Sequence, residues 1–440
     1  MKAQFVKSIL AIGLLIGAVE SMFAQELPSA SELCGTSEAM HHYYQTNPDA
    51  EKERIANEKF TQEFIANQDN SKQKTTAVRR KYVIPCVFHV YGTTQGGKTV
   101  SLSVIQNALK NWVNKDFTGN NTDWGTVHSK FLSIRDTLDI EFALALKDPD
   151  GKATTGVEFF STKSGFGNDS GYDSQIKADA WDNYSYFNIY IMNDLLADGV
   201  TTRSGVCWYP DTDMSNNNLA RCVYNGAYLG TNSNSSEFAS VLTHEFGHFL
   251  NLIHTFENGC GVENDYVNDT PTCSYPGHTC HSSSTVNSPL NCNNALINAE
   301  NYMDYSGADG CYKMFTKGQV ARMKAALEMP SRVTLWQDDN LIKTGLLTPT
   351  GVPVTSPASI SMGVYPNPSQ GEFNLYIENG KQTNYTVTVS DLMGKTISSQ
   401  TISVSGNDNS IIDLRQQPAG IYFLNVTGEG AQKVMKLIRE

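Results

Sequence analysis

Residues 244–254 read HEFGHFLNLIH, and this run constrains the chain more than any other. Two residues four apart on a helix lie about 40° apart around its axis and about 6 Å along it, so His244 and His248 can grip one metal ion together. Glu245 points off that line, where it can hold a water beside the metal instead of the metal itself. For His254 to become the third ligand, the chain must leave the helix and turn back. That turn demands positive φ, and Asn251 stands where the long form of this motif has glycine. Asparagine is the best non-glycine residue for the left-handed region, so the turn is expected to survive. Three histidines on a tetrahedral zinc ion leave the fourth position open, the catalytic arrangement and not the closed structural one.

The rest of the chain divides by composition. Residues 1–24 have a short basic start, an apolar run from Ser8 to Val19 and Ala24 before the break, which reads as a secretory signal peptide. The run is shorter than the roughly 20 residues a membrane span needs. A soluble, exported, disulfide-permissive mature protein is therefore expected, with no transmembrane segment. A net charge of -12 and the lack of a long Lys/Arg run remove the electrostatic footprint of a nucleic-acid partner. Residues 25–80 are charge-dense, with Ile55, Phe60, Phe64 and Ile65 as a sparse apolar stripe on a marginal helix. A proteolytic boundary fits Arg79-Arg80-Lys81, after which Tyr82–Tyr91 reads as a buried strand.

Residues 81–337 mix α and β. A helix is expected near Ser103 to Asp116 with Ile105, Leu109, Trp112 and Val113 on one side, then strands over Asp139–Leu146 and Tyr186–Met192. The metal-binding helix is expected to start at Ser235 or Ser236, both good N-caps. Residues 338–363, rich in Thr, Pro, Ser and Gly, read as an extended linker. Residues 364–440 alternate apolar and polar positions between turn residues, the marks of a small all-β sandwich. The expected fold class is thus multidomain, an α/β domain followed by a β-sandwich.

An HExxH site can also take its third ligand from a downstream glutamate, and Glu263 and Glu300 are available. His254 argues against that, as does Asn301-Tyr302-Met303-Asp304-Tyr305-Ser306, a tight turn that looks like the Met-turn lying beneath the metal in metzincins. With HEFGHFLNLIHTF, NDYVNDTP, NYMDYS and CYKMFTKGQVARM in this order, the chain resembles the pappalysin family of metzincin metalloproteases from Cys34 to Lys324. The resemblance implies a zinc endopeptidase whose metzincin-like domain has a twisted sheet and zinc helix above and an irregular lower subdomain. It implies zinc on His244, His248 and His254, with Glu245 as general base and then acid. Tyr305 would stabilise the oxyanion. Asp265, Asp269 and Thr270 would form a calcium segment. Asp309 would select Arg or Lys after the cut bond, although Gly310 before Cys311 shifts the register.

Cys34, in Cys34-Gly35-Thr36, resembles the prosegment thiolate that fills zinc's open position and keeps a precursor latent. Nine cysteines, an odd count, leave at least one unpaired. Two crosslinks are expected in the lower subdomain, with Cys273–Cys311 one candidate and a closed knuckle on Cys280 and His281 a minor alternative. Cys207 and Cys222 form another candidate pair, and Cys86 reads as a buried free thiol. The last 75 or so residues, with Tyr365-Pro366-Asn367-Pro368 and Pro418-Ala419-Gly420-Ile421-Tyr422, resemble the sorting domain of the type IX secretion system, which implies outer-membrane secretion machinery as a partner and an extracellular or outer-membrane surface location. The competing reading of this tail is a carbohydrate- or protein-binding sandwich. For the whole chain, the rival to a protease acting on protein or peptide substrates is a zinc-stabilised surface binding protein or adhesin without turnover. An intact Glu245 argues against it.

Overall fold

The structure is a computed structural model, and it describes residues 34–71, 81–233, 238–261, 263–276, 290–306, 311–348, 361–392, 394–428 and 431–440. The expected signal peptide, the Arg79-Arg80 boundary, Cys280, His281 and Asp309 lie outside them. Two helices come first, α1 (Thr36–Thr46) and α2 (Pro48–Ser71). The α2 helix keeps its expected place but not its expected apolar seat: Ile55 and Phe60 are exposed.

The central sheet is built from β1 (Tyr82–Tyr91), β2 (Ile140–Leu144), β3 (Val157–Phe160), β4 (Phe187–Ile191), β5 (Gly205–Cys207) and β6 (Cys222–Tyr224). In space β2 and β3 share one side of β1, and β4, β6 and β5 follow on the other. All neighbours are parallel except β5, which closes the sheet as an antiparallel edge on β6. The burial of nearly every residue of β1 and β4 explains why they read as continuous apolar runs, since helices and loops cover both faces.

Against this sheet pack α3 (Leu102–Asn107) and α4 (Asn114–Thr118), joined by a π-helical stretch over Ala108–Val113. Ile105, Leu109, Val113 and Phe117 are all buried at a constant spacing of four, which a widened turn accommodates and a 3.6-residue helix does not. The same widening brings Asp116 inward, where it accepts a hydrogen bond from Thr243 Oγ1 at 2.6 Å. Further on come α5 (Asp173–Asp179), α6 (Thr212–Asn216), α7 (Val241–Phe249), α8 (Lys317–Leu327) and α9 (Asp338–Lys343). The metal-binding helix α7 begins at Val241, after a 3-10 turn over Phe238–Ser240, and not at the expected Ser235 or Ser236, which lie outside the described residues.

The expected linker also starts too early. Leu341 and Leu346 are buried, and the Thr344 carbonyl accepts from the amides of Leu146 and Lys147, so residues 338–346 belong to the α/β unit. The tail forms one antiparallel assembly of β7 (Ser361–Tyr365), β8 (Glu372–Asp391), β9 (Thr396–Asp413), β10 (Gly420–Gly428) and β11 (Ala431–Arg439) around its own core of Phe373, Leu375, Tyr385, Val387 and Leu424. Among the described residues no helix is long and apolar enough to cross a membrane.

Candidate active site

The α7 helix presents His244 and His248 to one point, and the turn after it brings His254 to the same point. Asn251 makes that turn at φ 66°, as its place in the motif demands. His244 Nε2 lies 3.1 Å from His248 Nε2 and 3.3 Å from His254 Nε2, and Cys34 Sγ lies 3.4 Å from His248 Nε2. All four ligand atoms fall within 4.8 Å of one another, and all four residues are buried. A tetrahedral zinc with ordinary bond lengths spaces its nitrogens about 3.3 Å apart and its sulfur about 3.5 Å from a nitrogen. The four groups therefore fit the ion.

The other ring nitrogens support this fit. His244 Nδ1 donates to the Tyr302 carbonyl at 2.7 Å, His248 Nδ1 to the Leu252 carbonyl at 2.7 Å, and His254 Nδ1 to Glu257 Oε2 at 2.7 Å. Each bond fixes the proton on Nδ1 and leaves the Nε2 lone pair facing the centre. Burial and then the His254 ring push His244 down to about 3 against the opposing pull of the Tyr302 carbonyl, and burial with the two neighbouring rings pushes His248 down as well. Imidazoles held neutral in a dry site suit a cation.

Glu245 is fully buried beside this cluster. Burial pushes its carboxyl up to about 8, against the opposing pull of Cys34 and Thr36. Thr36 Oγ1 donates to Glu245 Oε2 at 3.5 Å, and Cys34 Sγ stands 3.8 Å from the same oxygen. Burial, then the Glu245 charge, raises the Cys34 thiol well above its ordinary value. Glu245 Oε1 has no hydrogen-bond partner. The space for this carboxylate is made by Gly205 on β5, where any Cβ would run into Glu245 Oε1 and Cδ.

Cys34 reaches the cluster because its segment lies on the edge strand. It forms a parallel bridge with Gly205, and the Gly35 amide donates to the Gly205 carbonyl at 3.0 Å. The Cys207 amide donates to Thr36 Oγ1 at 2.9 Å. From below, Met303 is fully buried against α7, and a Cβ on Gly247 would collide with its sulfur. Tyr305 packs 4.7 Å from the His254 ring, edge to face, and its hydroxyl donates to the Cys34 carbonyl at 3.1 Å.

The alternative third ligands fall away. Glu263 is exposed, and Glu300 is fully buried elsewhere, accepting from the His128 amide and Lys313 Nζ at 2.7 Å each. In the acidic segment, burial raises Asp265 to about 7, opposed by the Thr270 hydroxyl and the Val267 amide. The Thr270 hydroxyl approaches outside hydrogen-bonding geometry, so Asp265 Oδ2, Thr270 Oγ1 and Asn264 Oδ1 are buried oxygens without a partner. Asp269 is used differently, accepting from the Gly318 amide in the first turn of α8 at 3.0 and 3.2 Å.

Cysteine pairing differs from expectation. Cys260 is joined to Cys292, and Cys311 is disulfide-bonded, but Cys273 is a free, buried thiol donating to the Thr255 carbonyl at 3.2 Å. A Cys273–Cys311 bond is thereby ruled out. Cys207 and Cys222 face each other across β5 and β6 as free thiols, and Cys86 is free and buried as read. Sequence reasoning missed Glu257, Thr36 and Gly205. Only Glu257 left a local signal, three residues after His254.

Residues 170–328 match the profile of the peptidase family described as pregnancy-associated plasma protein-A. These residues form a pappalysin-family domain. Residues 363–440 match the secretion system C-terminal sorting domain. An extracellular metalloprotease of Neurospora crassa is 34% identical over 148 residues, 32% of this chain and 47% of that protein. Extracellular metalloprotease 1 of Coccidioides posadasii is 31% identical over 146 residues, 32% of this chain and 49% of that one. The match thus spans about half the length of these curated relatives.

Among solved structures, mature mirolysin of Tannerella forsythia in complex with a cleaved peptide superposes with a TM-score of 0.50 at 27% identity, over 60% of this chain and 98% of that one. A promirolysin mutant of the same organism gives 0.51 at 24%, over 69% and 97%, a likeness of fold. The pappalysin domain thus has the mirolysin-like α/β fold, and its sorting tail and extracellular relatives mark the protein as secreted.

Proposed function

We propose that this chain is the latent precursor of a secreted zinc endopeptidase. The observation that carries the reading is the meeting of three Nε2 lone pairs and one sulfur, all within 4.8 Å of one another, beside a buried glutamate. His244, His248 and His254 would hold zinc, which would supply a Lewis acid to polarise the scissile carbonyl and acidify water. Glu245, fully buried beside the three histidines, takes the proton of the attacking water and passes it to the leaving amine. Tyr305, once its bond to the Cys34 carbonyl is released, donates to the oxyanion that develops on the substrate.

Cys34 holds the fourth ligand position and its segment covers the edge strand, so substrate is excluded until the stretch up to Arg79-Arg80 is cut away. Thr36 and Tyr305 fix the same segment, which explains how a single sulfur is presented in register. The unpartnered oxygens of Asp265, Thr270 and Asn264 suit a hard cation such as calcium. Asp309 would confer a preference for Arg or Lys after the cut bond, and the tail would pass the protein through the outer membrane by the type IX route.

The test is Glu245→Gln in the processed protein. Digestion of casein or gelatin should fall by several orders of magnitude while the protein still binds zinc. Equal digestion by variant and wild type would take the activity away from this site, and no digestion by either would favour a zinc-stabilised binding protein.

A further inference from the structure

The underside of α2 is built unlike an ordinary helix interface. Glu53 accepts from the Thr212 amide at 2.9 Å and from the Thr212 hydroxyl at 2.6 Å. Glu58 is gripped in bidentate fashion by Arg322 of α8, with both nitrogens at 2.9 Å. Between them Asn57 Nδ2 donates to the Pro210 carbonyl at 3.2 Å, and Thr61 is fully buried. At 100° per residue, Asn57 and Thr61 sit in the middle of a face whose two edges are Glu53 and Glu58, about 140° apart. Ile55 lies outside that face and is 56% exposed. The helix is held by two carboxylates and small polar groups, with little apolar burial to retain it.

Arg322 is only 2% exposed, and a guanidinium fork with a carboxylate across it is a strong, geometrically specific contact. Among the described residues no other carboxylate forms an ion pair with it; Asp265 feels its charge from farther away. The Arg322 fork also donates to the Asn251 carbonyl at 3.3 Å, inside the turn between two of the metal-binding histidines. Once α2 departs, a desolvated cation and the two Thr212 donors face solvent beside the active site, on a chain whose net charge is -12.

Resting on the reading of residues up to 80 as a removable prosegment, we infer that this vacated face is a substrate-binding exosite for acidic segments. It takes two carboxylates spaced as Glu53 and Glu58 are, one on Arg322 and one on Thr212. The prosegment occupies the site in the precursor and a carboxylate-bearing stretch of a protein substrate occupies it afterwards. The exosite is separate from whatever selects the residue next to the cut bond.

The test uses full-length Glu245→Ala protein matured by cleavage in the Arg79–Lys81 stretch, with loss of residues 36–71 checked by mass spectrometry. The probe is a fluorescein-labelled peptide of residues 48–63, compared with the same peptide carrying Glu53→Gln and Glu58→Gln. The native peptide should bind at least about tenfold more tightly, judged by anisotropy, and Arg322→Gln protein should abolish the difference. Because the Gln changes are on the probe, a misfolded enzyme cannot imitate the result. Fused to one cleavable sequence, the two arms should then differ in KM with the active processed protein, not in kcat. Equal binding of the two probes, a cut prosegment that never leaves, or arms with the same KM would each overturn the inference. Catalysis plays no part in the binding arm, so a failure of the peptidase reading shows separately, as an undigested fusion.

Discussion

Gly247 lies inside the zinc helix, where glycine is ordinarily a fault. Replacing it with alanine should add about 1 kcal/mol of helix stability. In this fold the new Cβ would stop about an ångström short of the 3.4 Å at which ordinary contact with Met303 Sδ begins. The methionine cannot retreat. It is fully buried, its amide donates to Asn301 Oδ1 at 2.9 Å, and its carbonyl accepts from the Thr255 amide at 3.2 Å. Overpacking of this kind costs about 1–3 kcal/mol, and with the backbone pinned on both sides the upper half of that range applies. A net loss of about 1–2 kcal/mol follows, or about 2–8 °C in the melting temperature of a unit this size. Calorimetry on zinc-loaded Glu245→Ala protein, with and without Gly247→Ala, measures it. Adding Met303→Ala removes the colliding sulfur, so the double variant should lose less than the sum of the singles. A melting temperature that rises with Gly247→Ala, or a strictly additive pair, would refute the close approach of Met303 to the helix.

Other outcomes are equally specific. Cys34→Ala precursor should digest casein, or itself, earlier than wild type in a time course, and unchanged latency would remove the thiol from the switch. Glu257→Ala should weaken zinc binding by about 10- to 100-fold in a chelator titration, with Glu257→Gln retaining most of it, since an amide oxygen can still accept from His254 Nδ1. Gly205→Ala should cut activity strongly with little loss of zinc, because its Cβ displaces the Glu245 carboxylate and not a ligand. Burial raises Asp116 from 3.8 to about 7. The folded state then holds a proton that the unfolded state has lost, so this group's contribution to stability falls as pH rises from about 4 to about 7. Urea unfolding at pH 5 and pH 8 should show a smaller drop for Asp116→Asn than for wild type, and an equal drop would mean Asp116 titrates normally.

The zinc site divides between what neighbours in the chain could reveal and what they could not. The pairing of His244 with His248 and the positive φ of Asn251 follow from positions a few residues apart, where helix geometry and backbone sterics act. The start of α7 was misplaced because a 3-10 turn and Ser240 stand where two good capping serines upstream competed on equal local terms. Residues 338–346 read as linker on composition, yet burial of Leu341 and Leu346 holds them on the domain. The apolar stripe of α2 misled because the partners of Glu53 and Glu58 are 159 and 264 residues away.

By itself, the sequence determined the metal-binding helix, its turn, the apolar strands and the alternating tail, since each is a periodicity or a backbone preference expressed within about a dozen residues. Only the tertiary structure decided that Cys34, 211 residues before Glu245 and 271 before Tyr305, would meet them at one point. Only it decided that Gly205 would leave room for a carboxylate, Gly247 for a sulfur and Arg322 for Glu58. Those roles belong to shape and to charge out of water, and both arise when distant segments close on one another and exclude solvent.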